Sequence, residues 1–203
     1  MAHVHEVTIW ARGVSQDKEG RDVAGIIALA AEKENKFTCA WDDYADLPDR
    51  VGVPVRKYTK ISDEEIEMRY DYECEHPEVV IIVDESIVKG LNILRGMEKG
   101  GTLIVNTKRS PDDILKFIPN KDLIDKIVCV DANGIAAGAT TVDFSGTEGG
   151  VDASTLGAGI SAPLAGAAAK ATNLIKVENA TEVVVNKEAM NRGYEEAIIQ
   201  SVN

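Results

Sequence analysis

Residues 7–31 read VTIWARG, then VSQDKEGRD, then VAGIIALAA. Val7 and Ile9 belong to an apolar strand. Gly13 falls in the turn that ends it, and Val23, Ile26, Ile27 and Ala30 then share one side of a helix. A strand, a turn and a helix in that order open a parallel α/β sheet, whose ligands sit beyond the carboxyl ends of the strands. We therefore expect an α/β fold: a single open, mostly parallel sheet flanked by helices, Rossmann-like in plan. The first turn is the first place to look for a site.

Outward from that stretch, composition bounds the answer. The 203 residues fit one domain spanning 1–203, with a C-terminal helical segment from about residue 175. Apolar residues make up 44% and aromatic ones 5%, so the core is aliphatic. A formal charge of −12 argues against nucleic acid or an acidic membrane as partner. No apolar run approaches the ~18 residues that span a bilayer. MAHVHEV lacks the basic-then-apolar pattern of a signal peptide, so the expected location is cytoplasmic. Cys39, Cys74 and Cys129 show no C-x-x-C spacing, which argues against an iron–sulfur cluster or structural zinc held by this chain alone. They read as small buried thiols. His3 and His5 alternate near the terminus and could chelate a metal adventitiously; exposed tail residues are the plainer reading. No metal site is assigned.

Residues 36–42 alternate as a second strand, and Pro48, Gly52 and Pro54 mark an irregular loop. Residues 53–61 read as a half-exposed strand, with a short helix or turn opening at Ser62. VVIIV at 79–83 is apolar on both faces and so central. A helix is expected from Ser86 to Lys99, stopped by Gly100 and Gly101. Strands at 102–105 and 127–130 flank a short helix capped by Ser110 with Pro111 at its first position. Residues 143–152 form a Gly-rich surface excursion. Ser161 then caps a smooth helix containing Gly166 and Ala169, which lies either on the sheet or at a subunit interface. The remainder is expected to end helical.

The chemistry is sparse. A dinucleotide fingerprint needs G-x-G-x-x-G after the first strand, and residues 11–16 supply only Gly13. No nucleophile elbow, P-loop or H-E-x-x-H motif is present. What remains is a set of polar residues at strand ends: Arg12, Gln16, Asp84, Asn106 and Asn133. These alone fit a free-standing ligand- or nucleotide-binding module as well as an enzyme part.

Several stretches, taken together, resemble a family. Trp10, Arg12, Gly13 and Gln16 stand in a W-x-G-R-G-G-Q-G frame. Residues 48–55 (PDRVGVPV) meet P-E-R-R-G-A-P-V, and residues 130–136 (VDANGIA) meet V-D-A-T-G-I-A. Residues 165–174 (AGAAAKATNL) meet L-G-A-x-A-K-A-T-G-L, and residues 186–195 (NKEAMNRGYE) meet N-x-x-A-x-x-x-G-Y-E. The chain thus resembles the gamma subunit of the thiamine-diphosphate-dependent 2-oxoacid:ferredoxin oxidoreductases, the pyruvate synthase group. The resemblance implies a non-catalytic subunit that helps wall the active site. Thiamine diphosphate, Mg and [4Fe–4S] clusters then belong to the catalytic partner subunits, and ferredoxin accepts the electrons. Arg12, Gly13, Gln16, Arg50, Gly52, Asn106 and Asn133 would line the substrate and coenzyme vicinity, with Arg12 and Arg50 facing the mouth of the active site.

The departures carry their own expectation. The first turn is longer than the family's G-R-G-G-Q-G, loses glycines from it and gains Asp17 and Glu19, while Val51 replaces an arginine. Glycines admit phosphate to the backbone and Arg pairs with it, so coenzyme A binding should weaken. A member that needs no coenzyme A, such as an oxalate oxidoreductase, fits this change; simple drift of the loop fits it equally.

Overall fold

Four parallel strands form the centre of the sheet in the computed structural model, which describes residues 2–13, 16–43, 52–67, 71–137 and 152–202. These are β1 (Val4–Arg12), β4 (Val79–Ile82), β5 (Gly101–Asn106) and β6 (Ile124–Val130). Antiparallel strands extend both edges: β2 (Phe37–Asp42) and β3 (Pro54–Ser62) on one side, β7 (Ile198–Ser201) on the other. The order is β2-β3-β1-β4-β5-β6-β7. The expected open α/β sheet is present, with its parallel part confined to the middle. β4 and β5 are buried throughout because Val, Ile and Leu occupy both of their faces.

Two apolar layers sandwich the sheet. On one face Val7, Ile9, Ile81, Ile104 and Val128 pack against α1 (Asp17–Glu32) and α4 (Ser161–Ala171). On the other, Val80, Ile82, Leu103, Val105 and Ile127 meet Ile87, Leu94 and Met97 from the 85–97 connection and Ile114 of α2 (Pro111–Leu115). Ser110 caps α2 as its sequence predicts, accepting from the Asp113 amide.

Several local expectations give way to tertiary context. β3 is not half-exposed: it lies between β1 and β2 and is largely buried. Its lysines enter with it, and Lys57, only 3% exposed, meets Asp17 at 2.7 Å and Asp42 at 3.2 Å. Of the short helix or turn expected at Ser62, it is the turn that forms, with the Ser62 hydroxyl accepting from the Glu64 amide at 3.2 Å. The helix expected over 86–99 shrinks to a single 3-10 turn, Glu85–Val88. Gly90 and Gly96 take left-handed backbone at φ 86° and 83°, which helical backbone does not allow. The chain does not end helical either. After α5 (Val177–Val183) and α6 (Lys187–Glu196), Ile198 and Ile199 enter β7 and satisfy the free edge of β6. Most of the Gly-rich excursion at 143–152 lies outside the described residues.

Ser161 does not cap α4. Ile160 holds that position, and the Ser161 amide donates to Glu19 Oε2 of α1 at 2.9 Å. A buried carboxylate from a neighbouring helix thus satisfies an N-terminal amide that a local hydroxyl was expected to satisfy. Asp22, one turn further along α1, accepts from Lys18 Nζ at 2.7 Å and from the Gly157 amide at 3.4 Å. Burial pushes the Asp22 carboxyl above its ordinary value; Lys18 and the Gly157 amide oppose that only in part. The folded state therefore holds the Asp22 proton more tightly than the unfolded chain does. This contribution favours folding at low pH and is lost as pH rises from about 4 through the raised value. Stability measured relative to Asp22→Asn by denaturant unfolding is expected to decline between pH 4 and 7. A difference that stays flat across that range would show that Asp22 titrates normally.

Candidate functional site

The carboxyl ends of β4, β5 and β6 open on a cavity of about 360 Å³. Gln16, Asp84, Glu85, Asn106, Lys108 and Asn133 are among the residues that line it. Each arrives for a local reason. β4 and β5 stop where apolar residues give way to Asp84-Glu85 and Asn106-Thr107. Asp84 then caps the following 3-10 turn, accepting from the Ser86 amide at 2.8 Å and the Ser86 hydroxyl at 2.6 Å. Asp131 does the same beyond β6, accepting from the Gly134 amide at 2.9 Å ahead of α3 (Ala132–Ile135).

The protein holds the Asn106 side chain at both its nitrogen and its oxygen. It is 4% exposed; its amide donates to the Val83 carbonyl at 2.9 Å and its oxygen accepts from the Ala132 amide at 3.0 Å. It fastens the ends of β4 and β6 to each other across β5. Its role is to set the floor of the cavity, while the exposed Asn133 lies at its rim.

The first turn joins the same edge. Gln16 Oε1 accepts from the Arg12 amide at 3.2 Å, and Gln16 Nε2 donates to Asp84 at 3.2 Å. Arg12 Nε donates to Ser86 Oγ at 2.9 Å, stands 3.9 Å from Asp84, and one terminal nitrogen donates to the Gly52 carbonyl at 2.6 Å. Gly13 and Gly52 extend the β1–β3 ladder: Gly13 N donates to Val53 O at 2.7 Å and Gly52 N to Gly13 O at 3.1 Å. Arg12, Gly13, Gln16, Gly52, Asn106 and Asn133 therefore gather on one edge of the sheet. Arg50 lies outside the described residues.

Two findings alter the charge picture. Asp17 and Glu19 do not face this turn as free acids. Asp17 pairs with Lys57 and Arg21, and Glu19 is fully buried against α4. Sequence reasoning also passed over Lys108 and Arg109. Lys108 stands 3.6 Å from Asp131, and Arg109 Nε donates to Glu85 at 3.2 Å. Glu85 also accepts from the Thr107 hydroxyl. The signal was available, since both cations directly follow the end of a buried strand, where sites of this fold lie. The edge carries Arg12, Lys108 and Arg109 against Asp84, Glu85 and Asp131. It can orient a small anion through hydrogen bonds, but it is no concentrated phosphate cradle.

Cys74 and Cys129 do not fit an iron–sulfur cluster. Cys74 and Cys129 are buried, and burial pushes both thiols up, Cys129 to about 12. Clusters need thiolates, and both sulfurs sit among sheet residues. Among the described residues no helix is long and apolar enough to cross a membrane.

Comparison with known proteins narrows the class. A gamma subunit common to the pyruvate and ketoisovalerate oxidoreductases of Thermococcus kodakarensis is 32% identical over 161 residues, covering 79% of this chain and 76% of that one. The crystal structure of pyruvate oxidoreductase subunit PORC from Thermotoga maritima superposes with a TM-score of 0.73 at 23% identity, over 98% of this chain and 99% of that one. The gamma subunit of a keto/oxoacid ferredoxin oxidoreductase from Geobacter sulfurreducens gives a TM-score of 0.63 at 14% identity, over 96% and 94%. Residues 23–198 match the pyruvate ferredoxin/flavodoxin oxidoreductase family, and this chain belongs to it.

Proposed function

We propose that this chain is the non-catalytic gamma subunit of a thiamine-diphosphate-dependent 2-oxoacid:ferredoxin oxidoreductase. The observation that carries the reading is the strand-end edge in a member of this family. It offers hydrogen-bonding cations and amides around an open cavity. In the complex the catalytic subunits hold thiamine diphosphate with Mg and [4Fe–4S] clusters. Those groups supply the decarboxylation of the oxoacid and electron transfer to ferredoxin. This chain packs beside them, with Arg12, Gln16, Gly52 and Asn133 at the edge of the active-site region and Asn106 fixing its floor. Arg50 is proposed to join Arg12 there.

Affinity purification from the native host under strict anaerobiosis is the test. The chain is expected to emerge with larger, brown, iron-containing partners that reduce ferredoxin with an oxoacid, while the chain purified alone is inactive. Recovery as a colourless monomer in repeated preparations would overturn the proposal in favour of a free-standing binding module. The same preparation reports on coenzyme A. Turnover without it, with oxalate as the donor, would place the complex among the coenzyme-A-independent members; saturable dependence would show the first-turn changes to be drift.

A further inference from the structure

The opposite edge of the sheet holds a second cluster, at the amino ends of the parallel strands. His5 lies in β1, His3 stands two residues before it, and Glu78 immediately precedes β4. That places the cluster roughly 23 Å from the Arg12 edge, at ~3.3 Å of strand rise per residue. Both carboxylate oxygens of Glu78 are engaged. One meets His3 Nε2, and the other lies 2.8 Å from His5 Nδ1. The two rings are 4.6 Å apart between centroids and nearly perpendicular, at 86°. The donor atoms of all three side chains fall within 4.8 Å of one another.

The backbone fixes this arrangement. The Glu78 amide donates to the Glu6 carbonyl at 2.9 Å, and its own carbonyl accepts from the Thr102 amide at 2.9 Å. Glu78 is thus locked between β1 and β5, while His5 is held in the β1–β3 ladder opposite Ile61. His3 and Glu78 line a cavity of about 540 Å³ that also reaches His76 and Glu98, which leaves room for water at the remaining coordination positions.

We propose that His3, His5 and Glu78 form a binding site for one borderline divalent transition-metal ion, Zn²⁺ in the first place. Two imidazoles and one carboxylate are the donor set of three-ligand zinc sites, and metal–ligand distances of ~2.0–2.2 Å put neighbouring donors ~3.4 Å apart. The observed spread needs only small side-chain rotations to reach that. Imidazole donors disfavour Mg²⁺ and Ca²⁺, which take oxygen ligands. The ion would clip the start of β1 to the start of β4. It stands apart from the family's redox chemistry and does not depend on the function proposed above.

Calorimetric titration of Zn²⁺ into the full chain, with any affinity tag removed, tests this, and is repeated on the co-purified complex. One ion per chain is expected, with Kd in the micromolar range. His5→Ala and Glu78→Gln should each weaken binding tenfold or more, while Mg²⁺ at millimolar concentration gives no binding heat. Saturating Zn²⁺ should raise the melting temperature by about 5 °C over the chelator-treated chain, an effect the variants lose. Circular dichroism of the metal-free variants confirms that they fold. Binding of equal strength in wild type and both variants would overturn the proposal, as would no binding at all or equal affinity for Mg²⁺. The cluster would then be an imidazole–carboxylate hydrogen-bonding group only.

Discussion

Gly166→Ala is expected to lower the melting temperature by about 5–10 °C, and Gly166→Leu to leave no stably folded chain. The reason is backbone against backbone. A Cβ at Gly166 would meet the Met190 carbonyl oxygen at 2.2 Å and the Tyr194 amide at 2.8 Å, both in α6. The partner position is equally tight: a Cβ at Gly193 would meet the Pro163 carbonyl oxygen at 2.2 Å. No flexible side chain can yield there, so α4 and α6 must move apart. α4 cannot back away, because Leu164, Ala165 and Ala167 are fully buried in the layer that also contains α1 and the sheet. Overpacking of this kind costs ~1–3 kcal/mol, and here the upper end applies. Alanine's better helix propensity returns up to ~1 kcal/mol. At ~2–4 °C per kcal/mol for a chain of this size, a net loss of about 2–3 kcal/mol gives the stated shift. Thermal unfolding followed by circular dichroism measures it. A change of less than about 1 °C would mean that the two helices are not in contact at Gly166. The small-residue face is therefore used inside the chain, under α6, rather than kept for another subunit.

How much of this was legible in the sequence depends on where each signal lives. The opening strand–turn–helix and the apolar runs of β4, β5 and β6 could be read because burial on both faces leaves a continuous hydrophobic signal. β3 was misjudged because Lys57 and Lys60 read as solvent-facing charges, whereas the fold buries them beside acids distant in sequence. Periodicity cannot see such pairing. β7 was missed because four residues at the end of a helical stretch carry no period, and only the free edge of β6 gives them their form. The helix expected over 86–99 failed at Gly90 and Gly96, whose dihedrals are set by the contacts around them. For the site, position was legible and role was not. Asn106 was rightly placed at a strand end, yet its hydrogen bonds run to Val83 and Ala132 rather than outward. Asp17 and Glu19 looked like charges added to a binding turn, but both serve packing, one under Lys57 and one against α4.

Arg12→Ala, tested in the assembled complex, is expected to lower kcat/KM for the oxoacid by about tenfold or more. A tenfold loss corresponds to ~1.4 kcal/mol of transition-state stabilisation. The side chain is 30% exposed and spans the edge, with Nε on Ser86 and one terminal nitrogen on the Gly52 carbonyl. Removing it unties the end of β1 from both neighbouring loops and deletes a cation from the mouth of the cavity. A planar guanidinium can hold those two ties and still present a donor to a carboxylate, whereas an ammonium acts as a point charge on a flexible stem. Arg12→Lys should therefore recover part of the KM effect through charge, and little of the effect on kcat. Arg50→Ala, made separately, should likewise lower kcat/KM for the oxoacid. The ordinary alternative is that Arg12 only staples loops, its approach to Asp84 at 3.9 Å being a surface pair worth ~0–1 kcal/mol. In that case Arg12→Ala lowers the melting temperature and the yield of complex, while the assembled fraction, isolated by size exclusion, turns over with wild-type KM and kcat. That result would remove Arg12 from the substrate's surroundings and leave Lys108 and Arg109 as the described cations available at this edge.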